Sequence, residues 1–280
     1  MSLSKTIAAR ANSNTIACLI IGDEVLGGKT RDTNSQFLAT LCFNAGLSLR
    51  RVVVVPDEET DIAEQVRLLS AKYGHVITSG GIGPTHDDIT YSAIANAFNV
   101  PLIRHEETIT RMQAIAMARD PSKPFDMNAG RIRMATLPSQ PSKISFPCSD
   151  LWVPVVTVND NVSIFPGVPR LFQQLVSYFV HDTIVPSVPG LKKFVRVQIG
   201  TPKMESEIAD VLTRWQAEVD PLGIKIGSYP KWAPEDVVDA DGVTQSLRVM
   251  VSVVGQDEDA VEKTVFGIQS ELGAFRVAKL

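Results

Sequence analysis

The sequence predicts an α/β fold, in which a doubly wound, mostly parallel sheet is followed by a small α+β unit. Apolar runs typical of buried strands alternate three times with segments of helical apolar spacing before Phe98, which predicts parallel strands joined by right-handed crossovers. After a Pro-containing linker at 186–190 the order of elements changes, which predicts a separate second unit.

The first predicted domain spans residues 15–185. Its strands are predicted from apolar runs and its helices from apolar residues on one face. In chain order, the predicted strands are 15–21, 51–55, 75–78, 155–158 and 162–165, and the predicted helices are 35–45, 60–72, 91–98, 106–118 and 170–180. The Pro- and Ser-rich residues 128–154 predict a long excursion over the edge of the sheet that carries the polar loops.

The second predicted domain spans residues 191–280. The order of its elements is strand, helix, strand, strand, helix, strand, which is typical of a ferredoxin-like unit. The predicted strands are 194–199, 224–228, 247–254 and a last one near 275–277, and the predicted helices are 203–218 and 257–272.

Composition and charge narrow the kinds of protein that this chain could be. The formal net charge of −4 gives no general attraction for nucleic acid or an anionic membrane, so a phosphate ligand must be held by local groups. No stretch is long and apolar enough to span a bilayer. Cys18 and Cys42 are expected to be buried and reduced, as in a cytoplasmic protein. The first fourteen residues are predicted to be a disordered tail, which resembles a mitochondrial presequence only faintly.

The glycine-rich stretch SGGIGPTHDDIT, residues 79–90, lies between a predicted strand end and a predicted helix start. Open α/β sheets bind ligands at that edge, where backbone amides and the helix N-terminus attract anions. Three glycines would let a phosphate approach the main chain closely: Gly80, Gly81 and Gly83. Because Asp87 and Asp88 would repel a phosphate unless a cation lay between them, the stretch predicts a metal-bridged phosphate site.

A purely structural interpretation of the same stretch is also open. Thr85 and Asp88 have the spacing of a capping box, which would make Asp88 a helix cap. Thr90 is a second candidate for the N-cap, and this choice would free both aspartates to face the loop. His86 is predicted to be a solvent-facing spacer. Spacing alone does not decide between the capping and the metal-binding roles.

Two further polar loops follow predicted strands of the same domain. The first contains three acids, Asp23, Glu24 and Asp32, followed by Asn34. The other loop is the Pro-Gly-x-Pro turn that begins at Pro166. By itself, this turn would be interpreted as a chain reversal with no functional role.

Together, four motifs resemble those of the molybdopterin-binding-like (MoaB/Mog-like) domain family. They are IGDEVL at 21–26, DTN at 32–34, TSGGIGPTHDDIT at 78–90 and FPGVP at 165–169. The nearest likenesses are the N-terminal domain of CinA-type proteins and the corresponding domain of eukaryotic FAD synthetase. The resemblance covers about residues 15–181 and implies a three-layer α/β fold whose motif loops form one cleft.

The resemblance also implies an activity. That branch is associated with cleavage of the pyrophosphate in FAD or ADP-ribose, which releases AMP and uses a divalent metal (magnesium, manganese or cobalt) and potassium. It further implies a homodimer, and a second unit like the small domain that follows in CinA-type proteins. Because nothing here corresponds to the amidohydrolase or adenylylating domains of those proteins, we expect neither deamidation of pyridine nucleotides nor synthesis of FAD.

Roles carried over by position complete the expected site. Asp87 and Asp88 would bind the metal, Asp88 would also be catalytic, and Asp23 or Glu24 would take the proton of the attacking water. Contacts to the nucleotide are expected from the motif residues Gly22, Asp32, Asn34, Ser79, Gly80, Gly81, Gly83, Thr85, Pro166 and Gly167.

Three interpretations of function remain open on the sequence. A metal-dependent hydrolase of FAD or ADP-ribose-like nucleotides is favoured. A pterin or nucleotide carrier linked to molybdenum cofactor is the second, and a non-catalytic domain for dimerisation or regulation is the third.

Overall fold

The computed structural model describes residues 13–122 and 124–277, which divide into two compact units. The first unit extends to Leu191 and the second begins at Lys192. Most of the predicted N-terminal tail lies outside the described residues. Within the described ranges, no helix has the length and apolar character needed to cross a membrane.

The first unit alternates strands and helices and adds short elements between residues 102 and 145. Its strands are β1 (Thr15–Ile21), β2 (Ser48–Val55), β3 (His75–Ser79), β4 (Leu102–Arg104), β5 (Thr136–Pro138), β6 (Lys143–Ser145), β7 (Val155–Val158) and β8 (Val162–Phe165). Its helices are α1 (Asp23–Leu26), α2 (Asn34–Ala45), α3 (Glu59–Lys72), α4 (Thr90–Ala97), α5 (Glu106–Arg119), α6 (Ala129–Met134), α7 (Pro169–Phe179) and, after a π-helical turn at Val180–Ile184, α8 (Val185–Ser187).

The main sheet has the strand order β2-β1-β3-β8-β7-β6. Strands β2, β1, β3 and β8 run parallel, whereas β7 is antiparallel to β8 and to β6. The predicted mostly parallel, doubly wound α/β sheet is therefore confirmed. Because the four parallel strands end at one edge, the loops that follow Ile21, Val55, Ser79 and Phe165 lie side by side.

The central strands are buried on both faces, which explains their continuous apolar sequences. In β1, all residues from Ile16 to Ile21 are buried. Phe165 at the end of β8 packs edge-to-face against Phe172 and Phe179 of α7, with ring centroids 5.9 and 5.5 Å apart. The thiol of Cys42 is free and buried, as predicted, and burial raises its pKa to about 12.

Several local predictions for the first unit are wrong. Asp23–Leu26 forms a short helix, whereas we predict a loop there. Strand β2 begins at Ser48 rather than at residue 51, because it is an edge strand whose exposed polar positions hide it from an apolar-run criterion. Helix α4 begins at Thr90 with Ile89 as its N-cap, so Thr90 is not the cap. Its hydroxyl instead donates a hydrogen bond to the oxygen of Gly80.

The second unit has the predicted ferredoxin-like order of elements. These are β9 (Val195–Thr201), α9 (Glu205–Val219), a 3₁₀ turn (Asp220–Leu222), β10 (Lys225–Val238), β11 (Thr244–Gly255), α10 (Glu258–Leu272) and β12 (Phe275–Arg276). The sheet order is β10-β11-β9-β12, with antiparallel pairing throughout. Strands β10 and β11 are longer than predicted because their hairpin continues through largely exposed residues that lack a clear alternation of apolar and polar side chains.

Candidate active site

Asn34 connects three of the loops at the polar edge of the main sheet. It is the first residue of α2, and only 6% of it is exposed. Its Nδ2 donates hydrogen bonds to Oγ of Ser79 and to the backbone oxygen of Gly167, both at 2.9 Å. Oδ1 of Asp32 accepts a hydrogen bond from the backbone N–H of Asn34 at 2.9 Å and fixes the turn. Both N–H donors of this amide therefore bind other loops of the protein. Asn34 thus holds the cleft together whether or not a ligand is bound.

Replacing Asn34 with Ala is expected to lower the free energy of unfolding by about 1–3 kcal/mol, because Ser79 and Gly167 lose their shared buried donor. Denaturant titration measures this change. Asn96→Ala is the matched control, because Asn96 is exposed and donates its one side-chain hydrogen bond to Glu59 on the surface. Equal losses for the two variants would contradict the connecting role of Asn34.

The glycine loop after β3 depends on two glycines with positive φ. Gly80 has a φ of 115° and Gly81 a φ of 66°. A Cβ on Gly80 would lie 2.0 Å from the backbone oxygen of Ile21, and a Cβ on Gly81 would lie 2.2 Å from Oγ1 of Thr90. The loop therefore lies directly against the end of β1 and the start of α4, an approach that side chains at these positions would prevent.

Asp88 closes the glycine loop from inside. Its carboxylate accepts hydrogen bonds from the N–H of Gly83 at 2.6 Å, the N–H of Thr85 at 2.8 Å and the hydroxyl of Thr85 at 2.5 Å. The bond from the Thr85 N–H is one half of the predicted capping box, but the helix begins later, at Thr90. Much of the hydrogen-bonding capacity of Asp88 is thus used to shape the loop.

Two of the three glycines that would let a phosphate approach the main chain have amides already hydrogen bonded within the protein. The N–H of Gly80 donates to the oxygen of Phe165 at 3.2 Å, and the N–H of Gly83 donates to Asp88. These amides are satisfied internally, as amides with little access to water generally are. Of the three glycine amides, that of Gly81 alone has no hydrogen-bond partner within residues 13–122 and 124–277.

Asp57 is an acidic residue of this edge that the sequence patterns do not single out. It follows β2, and its Oδ2 accepts a hydrogen bond from the N–H of Asp23 at 3.0 Å. Burial raises the pKa of Asp57, the hydrogen bond from Asp23 lowers it by less than burial raises it, and the negative charges of Asp23, Glu24 and Asp87 raise it further. Acids from three loops therefore share one region of negative potential.

Asp87 is exposed, as are Asp23 and Glu24. Hydrogen bonding within its own loop, by Thr85 and by its own backbone, lowers the pKa of Asp87, and the neighbouring charges of His86 and Arg133 lower it further. Arg133 belongs to α6, within the predicted excursion over this edge. The excursion thus brings a cation close to the acidic loops, while His86 is exposed as predicted.

A cleft of about 370 Å³ lies beside the glycine loop, and a pocket of about 60 Å³ lies beside the loop after β1. Glu24 and Gly167 border both spaces. The predicted site residues that line one or the other are Glu24, Asp32, Asn34, Ser79, Gly80, Gly81, Gly83, Asp88, Pro166 and Gly167. Gly22, Asp23, Thr85 and Asp87 adjoin them in the chain. The four motifs therefore meet at one edge of the sheet.

The acids of this edge have the chemistry of a site for a hard divalent cation, although they do not form a closed cage. In the described ranges, no three His, Cys, Asp or Glu side chains are arranged to hold a metal ion. Besides Asp88, which closes the glycine loop, the carboxylates of this edge include those of Asp23, Glu24, Asp57 and Asp87. Magnesium is usually bound by one or two carboxylates together with substrate phosphates, which fits such an open donor set.

Residues from outside the motifs also contribute to this edge. Asp57 could have been found, because it follows an apolar strand of a parallel sheet, as the motif loops do. Arg133 and Trp152 lie in the irregular excursion, and Trp152 lines the cleft. Their positions depend on how that segment folds over the sheet, for which the sequence carries no periodic signal.

Comparison with known families gives two matches, one in each unit. Residues 17–188 match the family described as a probable molybdopterin binding domain. Residues 193–279 match the middle domain of FAD synthase.

Individual relatives cover different parts of this chain. A probable FAD synthase of Caenorhabditis elegans is 31% identical over 232 residues, which are 78% of this chain and 44% of that protein. The chain therefore spans less than half the length of this curated relative. A protein of Pyrobaculum calidifontis is 31% identical over 222 residues, which are 78% of this chain and 81% of that protein.

A solved structure is similar as well. The protein CinA from Thermoplasma acidophilum, described as having unknown function, superposes with a TM-score of 0.52 at 26% sequence identity. The similarity covers 61% of this chain and 98% of that chain.

Proposed function

Because this chain belongs to the molybdopterin-binding-like domain family, in the branch that includes CinA-type and FAD synthase-like proteins, we propose that it acts on nucleotides as a metal-dependent pyrophosphatase. It cleaves the phosphoanhydride of FAD or of ADP-ribose-like dinucleotides and releases AMP. The observation that carries the proposal is the group of acids from three loops beside a glycine loop that borders one cleft.

Binding of the phosphoanhydride falls to the glycine loop. The free amide of Gly81 donates to a phosphate oxygen, and Asn34 keeps the neighbouring loops in place around it. Arg133 adds a positive charge from the excursion. Asp88 holds the loop in its binding conformation, so we propose that its role is positioning rather than proton transfer.

Asp23, Glu24, Asp57 and Asp87 are the residues that would hold a divalent cation of the magnesium, manganese or cobalt type. When bound, such a cation supplies positive charge that offsets the charge developing on the phosphate oxygens. Glu24 is the better candidate for accepting the proton of the attacking water, because it lines the cleft while Asp23 does not. Potassium and a homodimer belong to the same proposal, on the family resemblance alone.

The test is release of AMP from FAD, ADP-ribose and NADH, with magnesium, manganese or cobalt and with or without potassium. We expect metal-dependent AMP release that falls about tenfold or more in Asp87→Asn, because one charged ligand of the cation is lost. Asp241→Asn, an exposed aspartate of the second unit, is the control and should keep wild-type activity. Full activity in Asp87→Asn would contradict the metal-binding role.

The second candidate is a pterin carrier, which the description of the matched family favours. Tight binding of molybdopterin by the folded protein, with no AMP released from any of the three nucleotides, would replace the hydrolase proposal by this one.

A further inference from the structure

A second cavity of about 380 Å³ adjoins the cleft of the first unit. The two spaces share walls formed by Met134, Trp152, Val153 and Leu171. The other walls of the second cavity come from α5, from Phe125 and from the excursion at 128–154. The proposed phosphoanhydride chemistry, at the glycine loop, gives this second space no role.

The walls of the second cavity combine apolar side chains with polar groups, two of which are arginines. Met112, Ile115 and Ala116 of α5 face it, together with the ring of Phe125. The guanidinium of Arg131 stacks over the Phe125 ring, 4.6 Å from its centroid. Such a combination of flat apolar surface and a few fixed donors is typical of sites for aromatic heterocycles.

The two arginines of this cavity, Arg119 and Arg131, have donors to spare. Neither forms an ion pair with a carboxylate among the residues that the structure describes. Asp150 also lines the cavity, and its carboxylate is approached by Nε2 of Gln174 at 3.2 Å. Guanidinium N–H groups at the rim of an apolar space favour a ring whose edge carries oxygen or nitrogen acceptors.

We infer that the second cavity binds the aromatic ring of the dinucleotide half that lies across the phosphoanhydride from AMP, a flavin-type ring. This inference rests on the proposed function for the choice of ligand. The flavin ring offers two flat apolar faces to Phe125 and Trp152 and a carbonyl-bearing edge to the arginines. ADP-ribose carries a sugar but no aromatic ring in that half, so the cavity makes the site selective for FAD over ADP-ribose.

The experiment fills the cavity and measures binding rather than turnover. Ala116→Trp places a large side chain into the space, whereas Ala114→Trp places the same side chain on the exposed side of α5 and serves as its control. Dissociation constants for FAD and ADP-ribose are measured by calorimetry in EDTA, so that neither nucleotide is cleaved. We expect Ala116→Trp to raise the dissociation constant of FAD at least about tenfold and to change that of ADP-ribose by less than about threefold. Ala114→Trp should bind both nucleotides as wild type does.

The inference would be overturned if Ala116→Trp lowered the affinity for both nucleotides equally, or if it left the affinity for FAD unchanged. If Ala116→Trp does not reach the wild-type melting temperature, Arg119→Gln is used instead. This variant is expected to lower the affinity for FAD about three- to tenfold and to leave the affinity for ADP-ribose unchanged. Riboflavin, which carries the ring without phosphates, should compete with FAD in wild type. None of these measurements depends on AMP release. Selective binding of FAD would therefore support the flavin site even if the protein released no AMP. AMP release without selective binding of FAD would contradict the flavin site but not the proposed function.

Discussion

Replacing Gly81 with Ala is expected to remove most of the activity and a large part of the stability of the first unit. The residue has a φ of 66°, which costs an alanine about 1–2 kcal/mol. The new Cβ would also lie 2.2 Å from Oγ1 of Thr90, a fully buried group that is hydrogen bonded to Gly80 and cannot move aside freely. Overpacking of this kind adds about 1–3 kcal/mol.

Activity should fall more steeply than stability in Gly81→Ala. The loop must shift to relieve the contact, and a misplacement of about 1 Å can cost on the order of 100-fold in rate. AMP release and urea titration measure the two effects separately.

Gly190→Ala is the matched control for this substitution. Gly190 has a φ of 69°, and nothing lies within 4 Å of the position that its Cβ would take. This variant should therefore show the backbone cost alone, with normal AMP release. If the two variants behaved alike, close packing of the loop against α4 would not be the reason for the glycine at position 81.

The fold could be predicted from local patterns, whereas the site could be predicted only in part. Strand β1 can be predicted because its six core residues are consecutive and apolar. The side chain of Asn34 donates to Ser79 and Gly167, which lie 45 and 133 positions further along the chain, so no local pattern shows that both of its N–H donors are already used. The order of strands and loops places the motif residues at one edge, whereas their individual hydrogen bonds depend on tertiary packing.

Asp88 illustrates why spacing alone left its role open. The capping box and the free carboxylate are alternatives only if the helix starts next to Asp88. In the structure, Ile89 intervenes as the N-cap, and the carboxylate turns back to Gly83 and Thr85. The capping box requires a helix that begins directly after Thr85, whereas the helix begins at Thr90, and this difference in the helix start changes the function assigned to the side chain.

Replacing Asp57 with Asn is expected to raise stability at neutral pH while lowering AMP release about 10- to 100-fold. Burial and the charges of Asp23, Glu24 and Asp87 raise the pKa of Asp57 above its ordinary value of 3.8. The folded state therefore binds this proton more tightly than the unfolded state does. The stability associated with Asp57 is fully present below pH 3.8 and is lost as the pH rises through the raised pKa.

Asparagine removes this loss, and its Oδ1 can still accept the hydrogen bond that the Asp23 N–H donates at 3.0 Å. The advantage of Asp57→Asn in urea titrations should thus grow from acid to neutral pH. A divalent cation should instead stabilise wild type more than Asp57→Asn, because the cation neutralises the acids and is held by their charges. Manganese should raise the melting temperature of wild type more than that of Asp57→Asn, a readout independent of catalysis.

Asp241→Asn controls for the loss of one negative charge elsewhere on the molecule, and it should respond to pH and to manganese as wild type does. Three results together would support the acids of this edge as one cation site: higher stability, weaker stabilisation by manganese and lower AMP release in Asp57→Asn. A variant that lost activity while its response to manganese stayed at the wild-type level would instead place the cation away from Asp57. A variant less stable than wild type at pH 7 would show that the hydrogen bond to Asp23 outweighs the repulsion among the acids.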